Sequence, residues 1–143
     1  MRVGLHHIHG TDGARVIELV FERSTTYPAF VKYLEAACSG HWTAACDHGD
    51  GHVILCIDTT KLPLTLLCHA PAFRGVYKRI FSRLKQHFTH SIVVVQNPAV
   101  RMAIDTVIGL ADSLATEFHT ASTHDEAQVL WDRIVAESKT TTK

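Results

Sequence analysis

The chain carries no net charge, because its 14 lysines and arginines are balanced by 14 aspartates and glutamates. A balanced surface sets up no long-range field, so generic attraction to nucleic acid or to an anionic lipid surface is excluded and only local patches remain. Long apolar runs are missing too. No stretch approaches the ~18 apolar residues needed to cross a bilayer. The opening MRVGLHHIHGTDG has no apolar core of the kind an export signal carries. Cysteine is sparse: Cys38, Cys46, Cys56 and Cys68 form neither a CxxC pair nor a zinc-knuckle spacing. They are expected to be reduced, in a compartment of the cytosolic type. Internal repeats, linkers and low-complexity tracts are absent, and no catalytic or cofactor motif rises above background. A cytoplasmic chain with no cofactor is expected.

What is present is a core. Over 143 residues, 46% are hydrophobic and 20% charged, enough to close one α/β domain without staples. The domain is expected to span 1–143, with a frayed polar tail at 138–143. Its centre is Ser91 to Ser122, which reads as a buried strand, a turn at Asn97-Pro98, an amphipathic helix holding Val100, Ile104, Val107 and Ile108 inward, and a second strand at Glu117–Thr120. HVILCID at His52–Asp58 is an uninterrupted apolar run of strand length, the pattern of a parallel strand covered on both faces.

Around this centre the order is β-β-α-(β)-β-α-β-α-β-α. Arg2–His9 and Ala14–Phe21 flank the turn signal Thr11-Asp12-Gly13 and predict an N-terminal β-hairpin. Ser24-Thr25-Thr26 supplies cap candidates for a first helix carrying Phe30, Val31, Leu34 and Ala37, stopped at Gly40. HWTAAC at 41–46 is either a short strand or an irregular approach to the sheet. KLPLTLLCHAPA reads as a proline-containing loop, and a second helix begins at about Pro71 or Phe73 and runs to His87. Thr123 to Glu126 fits a capping box at the start of a last helix bearing Ala127, Leu130, Trp131 and Ile134. Alternating strands and helices imply right-handed crossovers and a mixed, mostly parallel sheet of four to five strands with helices packed on it.

Ligands of open α/β sheets bind at the C-terminal ends of the parallel strands. That edge gathers Asp58, Thr59, Thr60, Asn97 and Arg101, with Gln96, Thr120 and Ser122 beside them. Hydroxyls, amides and one guanidinium suit a small anion or a partner's backbone, although each polar residue also fits a turn or helix cap. Cys68-His69 stands before the second helix, where a helix N-terminus lowers a thiol's pKa. Neighbours in one loop seldom face each other as nucleophile and base, and no orienting acid follows. Arg74 and Lys78, with Arg83 and Lys85, form a basic helix face that is either solvated or a partner surface. Cys46, His48, Asp50 and His52 are zinc-type donors two residues apart, but Gly49 and Gly51 make the segment a turn, so no metal is expected. The 11 histidines do not by themselves make a ligand set.

Three stretches resemble the STAS family, the SpoIIAA-like fold of anti-sigma-factor antagonists: the buried strand ending in Asp58, Asn97-Pro98-Ala99-Val100-Arg101 through Ile108-Gly109-Leu110, and Glu117-Phe118-His119-Thr120 leading into Ser122-Thr123-His124-Asp125-Glu126-Ala127. The likeness covers roughly residues 50 to 136. It implies a SpoIIAA-like sheet and a regulatory, protein-binding role. The family's strand end D-x-S is roughly kept by Asp58-Thr59-Thr60, whereas its Asp-Ser-Ser-Gly segment falls on Leu66-Leu67-Cys68-His69, which holds no serine to phosphorylate. Ala70-Pro71-Ala72-Phe73-Arg74-Gly75-Val76-Tyr77 is similar to the N-A-P-x-x-F-x-x-x-Y/W stretch of CRAL-TRIO (Sec14-type) proteins, which implies lipid or small-ligand binding beside the second helix. The leading expectation is a non-enzymatic interaction module that binds a protein partner or a second copy of itself. Small-anion or lipid binding is the alternative, and a metal-dependent or cysteine-based enzyme ranks last.

Overall fold

The computed structural model describes residues 2–7, 15–38, 53–87, 90–109 and 117–141. Strands β1 (Arg2–His7) and β2 (Arg15–Val20) open the chain, followed by helix α1 (Tyr27–Cys38) and strand β3 (Val53–Asp58). A 3-10 helix (Leu64–His69) runs straight into α2 (Ala70–His87). Strand β4 (His90–Val94), α3 (Pro98–Gly109), β5 (Glu117–Ala121) and α4 (His124–Thr141) complete the order. The fold is α/β, with one sheet in the order β1-β2-β3-β4-β5. Strand β1 pairs antiparallel with β2, and β2 through β5 are parallel throughout. The β1–β2 turn, segment 41–46 and the donors Cys46, His48, Asp50 and His52 lie outside the described residues.

Side chains alternate across a strand, so a sheet covered on both faces needs apolar residues at both parities. Ile17 and Leu19 of β2, Leu55 and Ile57 of β3, and Val93 of β4 share one core with Leu34, Tyr77, Ile80 and Val100 from α1, α2 and α3. The intervening Val16, Ile54, Cys56, Ile92 and Val94 share a second core with Ala127, Trp131, Ile134 and Val135 of α4. The strand order explains this division. Each parallel connection steps to the next strand in the same direction, and right-handed crossovers made that way place every connecting helix on one face. Helix α1 touches α2, and α2 touches α3, on that face. Helix α4 follows the last strand and connects to nothing further, so it folds back over β3, β4 and β5 on the other face. Fully burying a Leu, Ile or Phe such as Leu34, Ile17 or Phe21 contributes roughly 1.5–3 kcal/mol.

The helix starts follow from their caps. Thr26 Oγ1 accepts from Ala29 N at 3.4 Å, and Asn97 Oδ1 accepts from Ala99 N at 2.8 Å with Pro98 at the first helical position of α3. At α4, Thr123 Oγ1 accepts from Glu126 N at 3.1 Å. The Glu126 carboxylate closes on Ser122 N at 2.7 Å, one residue earlier than a reciprocal capping box requires.

Two expectations change. Leu64–His69 is a 3-10 helix and not an irregular loop, and α2 starts at Ala70. Pro63, at φ −63°, precedes the first 3-10 residue, and its carbonyl accepts from Leu66 N at 2.9 Å. The winding turns Leu66 and Leu67 onto the first core, and that burial outweighs the loop preference of a Pro-containing stretch. Helix α4 reaches Thr141, so helical backbone extends into the segment expected to fray from 138. No helix among the described residues is long and apolar enough to cross a membrane.

Candidate ligand-binding site

An apolar cavity of about 120 Å³ lies between the sheet and the three connecting helices, near the C-terminal end of the parallel strands. Ile57 and Val93 form its floor, and Phe21, just beyond β2, joins them because Phe21 N donates to Asp58 O at 3.0 Å and prolongs the ladder. Tyr27, Phe30 and Leu34 reach it from one face of α1, at the spacing i, i+3, i+7 that aligns side chains along a helix. Phe73 and Tyr77 enter from α2 four residues apart, and Val100, Ala103 and Ile104 enter from α3. Leu66 and Leu67 of the 3-10 helix complete the wall.

The aromatic side chains form a connected set. Ring centroids lie 4.7 Å apart for Phe21 and Phe30, 5.1 Å for Phe30 and Phe73, and 6.1 Å for Phe73 and Tyr77. His69 stacks on Tyr27 at 4.4 Å with the rings 3° from parallel. Tilted and edge arrangements at these distances are the favoured ones, and they hold the wall in place. Burial pushes the Tyr77 hydroxyl well above its ordinary range. Burial also raises Tyr27, opposed in part by the Arg79 guanidinium. Both phenols therefore stay neutral near pH 7.

Beside the cavity, and sharing Thr59, Leu62 and Val100 with it, a polar recess is lined by Arg23, Thr60, Lys61, Pro63, Leu64 and Asn97. Of the expected strand-end residues, Thr59, Thr60 and Asn97 line this recess, whereas Asp58 and Arg101 do not, and most of them are engaged in holding the backbone. Asp58 Oδ1 accepts from Thr60 N at 2.9 Å and from Thr60 Oγ1 at 2.7 Å, closing a turn on itself. Thr59 Oγ1 donates to Val94 O at 2.6 Å in a buried bond that ties the end of β3 to β4. Asn97 caps α3, and Arg101 Nη2 donates to Thr120 Oγ1 at 3.4 Å, linking α3 to β5.

The remaining candidates separate. His69 lines the cavity, whereas Cys68 is exposed and donates its thiol to Thr65 O at 3.0 Å. No contact joins the Cys68 thiol to the His69 ring, so the two do not form a nucleophile–base pair. Arg74 and Lys78 are exposed on α2 and line neither recess. Another cation of α2, Arg79, binds Glu35 of α1. No group of three metal-type donors occurs among the described residues. Sequence reasoning put Phe30 and Leu34 on the first helix and Phe73 and Tyr77 on the second, but did not foresee that they line one space. It also passed over Arg23 and Lys61, whose only signal is that each stands three residues beyond a strand end.

On the opposite face, Glu18 of β2 is buried and its Oε2 lies 2.7 Å from His124 Nε2 at the start of α4. The nearby Cys56 thiol is pushed far up by burial, with the Glu18 and Asp58 carboxylates adding to the shift, which leaves it a neutral core group. The chain matches no protein-family model, no curated protein and no solved structure.

Proposed function

We propose that this chain is a non-catalytic module that binds a small apolar molecule, about one ring in size, in the cavity between the sheet and α1, α2 and α3. The observation that carries this reading is the cavity itself: about 120 Å³ of space walled by side chains with almost no polar surface. An apolar cavity of about 150 Å³ stays dry and takes up benzene, so a single ring matches the volume. Sites for drug-sized ligands run to roughly 300–1,000 Å³, and a complete lipid is therefore too large to be enclosed. Tyr27 and His69 stand in the wall as a stacked pair and present ring faces to a ligand.

The test is an amide-shift titration with benzyl alcohol. Shifts concentrated at Phe30, Leu67 and Phe73, and lost in a Leu67→Trp variant that fills the space, are the expected result. Shifts scattered over the surface, or unchanged by Leu67→Trp, refute the reading.

A second reading is partner recognition of STAS type at the strand-end rim. It is supported by the sequential parallel order with its connecting helices on one face, by the exposed Arg74 and Lys78, and by Leu64, 56% exposed at the recess. Recovery of the same partner from the native source by wild type and by an Arg74→Glu/Lys78→Glu/Leu64→Ser variant would exclude this surface.

A further inference from the structure

We infer that the ligand is a one-ring monocarboxylate, its ring in the apolar cavity and its carboxylate between Arg23 and Lys61. This inference rests on the cavity reading above and adds the charge of the ligand to it.

The juxtaposition follows from the register of the sheet. Val20 of β2 pairs with Asp58 of β3, and each parallel strand then leaves the sheet. Arg23 and Lys61 are the third residues beyond that pair, so two cations come to the same end of two adjacent strands. Both are exposed and line the polar recess, and neither is engaged in an ion pair among the described residues. The recess and the cavity are contiguous through Thr59, Leu62 and Val100. A ligand that spans them has an apolar body and an anionic end.

Carboxylate chemistry fits this end. A guanidinium presents a planar fork of N–H donors matched to two carboxylate oxygens, while the lysine adds a mobile point charge. Two acids stand near the cations along the chain, Glu22 beside Arg23 and Asp58 three residues before Lys61, and neither is among the recess walls. Asp58 already accepts both Thr60 N and Thr60 Oγ1 on one oxygen. The two acids lower the local positive charge, but among the described residues the only charged side chains that line the recess are the two cations. Thr60, the hydroxyl beside the cations, spends its proton on Asp58, so the recess is selected by charge more than by neutral hydrogen bonding. Exposed ion pairs are individually weak, so two of them at an open rim give a preference of about tenfold, not an all-or-none requirement.

The experiment compares 3-phenylpropionate with its neutral isostere 3-phenylpropanamide, using calorimetry or amide shifts at low salt. Wild type should bind the acid about tenfold more tightly than the amide, and added salt should weaken only the acid. Arg23→Gln/Lys61→Gln should bring the acid to the affinity of the amide while leaving the amide unchanged. The substituted side chains are exposed, so the fold is retained, which circular dichroism checks. Equal affinities in wild type, or an acid preference that survives the double substitution, overturn the inference while the cavity reading stands. If neither compound binds, the cavity reading fails and the inference falls with it. Acid binding that persists in Leu67→Trp identifies a surface ion pair and overturns the inference as well.

Discussion

If the space between the sheet and the helices is empty, filling it should stabilise the protein. Ala103→Leu is the most direct probe. Ala103 is half-buried on α3 and faces the cavity beside Ile104 and Val100. Leucine adds three carbons, half the number in benzene, and benzene fits a cavity of about 150 Å³; the 120 Å³ here accepts three carbons. Full burial at about 0.8 kcal/mol per carbon sets a ceiling near 2.4 kcal/mol. An imperfect fit subtracts, since overpacking a filled core costs roughly 1–3 kcal/mol. Ala and Leu are both good helix formers, so α3 itself is little affected. The expected result is a gain of about 1 kcal/mol, read as a higher urea midpoint with unchanged slope and a melting temperature up by about 3 °C. Binding of 3-phenylpropionate should be lost in the same variant. A stability loss above about 1 kcal/mol at constant slope would show that no space exists. A stability gain with unaltered binding would place the ring elsewhere.

Other parts of the structure give independent tests. Thr59→Val should lower unfolding free energy by about 1 kcal/mol in urea titrations, because the bond from Thr59 Oγ1 to Val94 O at 2.6 Å is lost while Thr59 N still donates to the same carbonyl. His124→Ala removes one partner of the buried Glu18 carboxylate; with the imidazole 44% exposed, solvent screening limits the loss to about 1 kcal/mol. Alkali should destabilise the fold through Cys56 and Tyr77, whose buried neutral forms ionise later than they do in the unfolded chain. As pH rises past the ordinary thiol value of 9.0, the unfolded state gives up its proton first, so stability declines from there upward. Cys56→Ala should make that decline shallower by about 1 kcal/mol between pH 9.5 and 10.5 in urea titrations across the range. An identical slope in the two proteins would mean that Cys56 is not shielded.

Much of the fold is legible because its signals are local. VILCID is apolar at both parities, and only a strand covered on both faces uses such a run, which is where β3 lies. Asn97-Pro98 and Thr123–Glu126 write helix starts into adjacent residues, and both caps form. The 3-10 helix is not legible in the same way. KLPLTLLCHAPA has the punctuation of a loop, and what winds it is the burial of Leu66 and Leu67 against residues far along the chain. The site divides along the same line. Thr59, a strand-end candidate, and His69, which ends the 3-10 helix, both line the cavity. The cavity itself is a difference between the volume of the walls and the volume they enclose, which no residue carries alone. The Arg79–Glu35 pair spans 44 residues and needs α1 and α2 to be docked before it exists. Arg23 and Lys61 likewise meet only once β2 and β3 are in register.

The topology accounts for why an opening exists at all. In doubly wound sheets the crevice arises where the strand order reverses and neighbouring helices depart to opposite faces. Strands β2 to β5 never reverse, so no such crevice forms between them. The opening has another origin: the 3-10 helix is inserted between β3 and α2 and touches both α2 and α3. It contributes Leu66 and Leu67 to the wall, yet its Leu64, Thr65 and Cys68 are exposed and no residue within it is fully buried. A short element with poor hydrogen-bond geometry and one exposed side is a weakly held wall. Around it, the floor of Ile57 and Val93 belongs to the fully paired sheet, and Leu34, Tyr77 and Val100 belong to the buried core. The paired sheet and the buried core define the shape of the cavity, and the 3-10 helix is its most exposed wall. Arg23 and Lys61 stand at the same end of the sheet, so the proposed anionic ligand would meet the cations beside the least buried part of the wall.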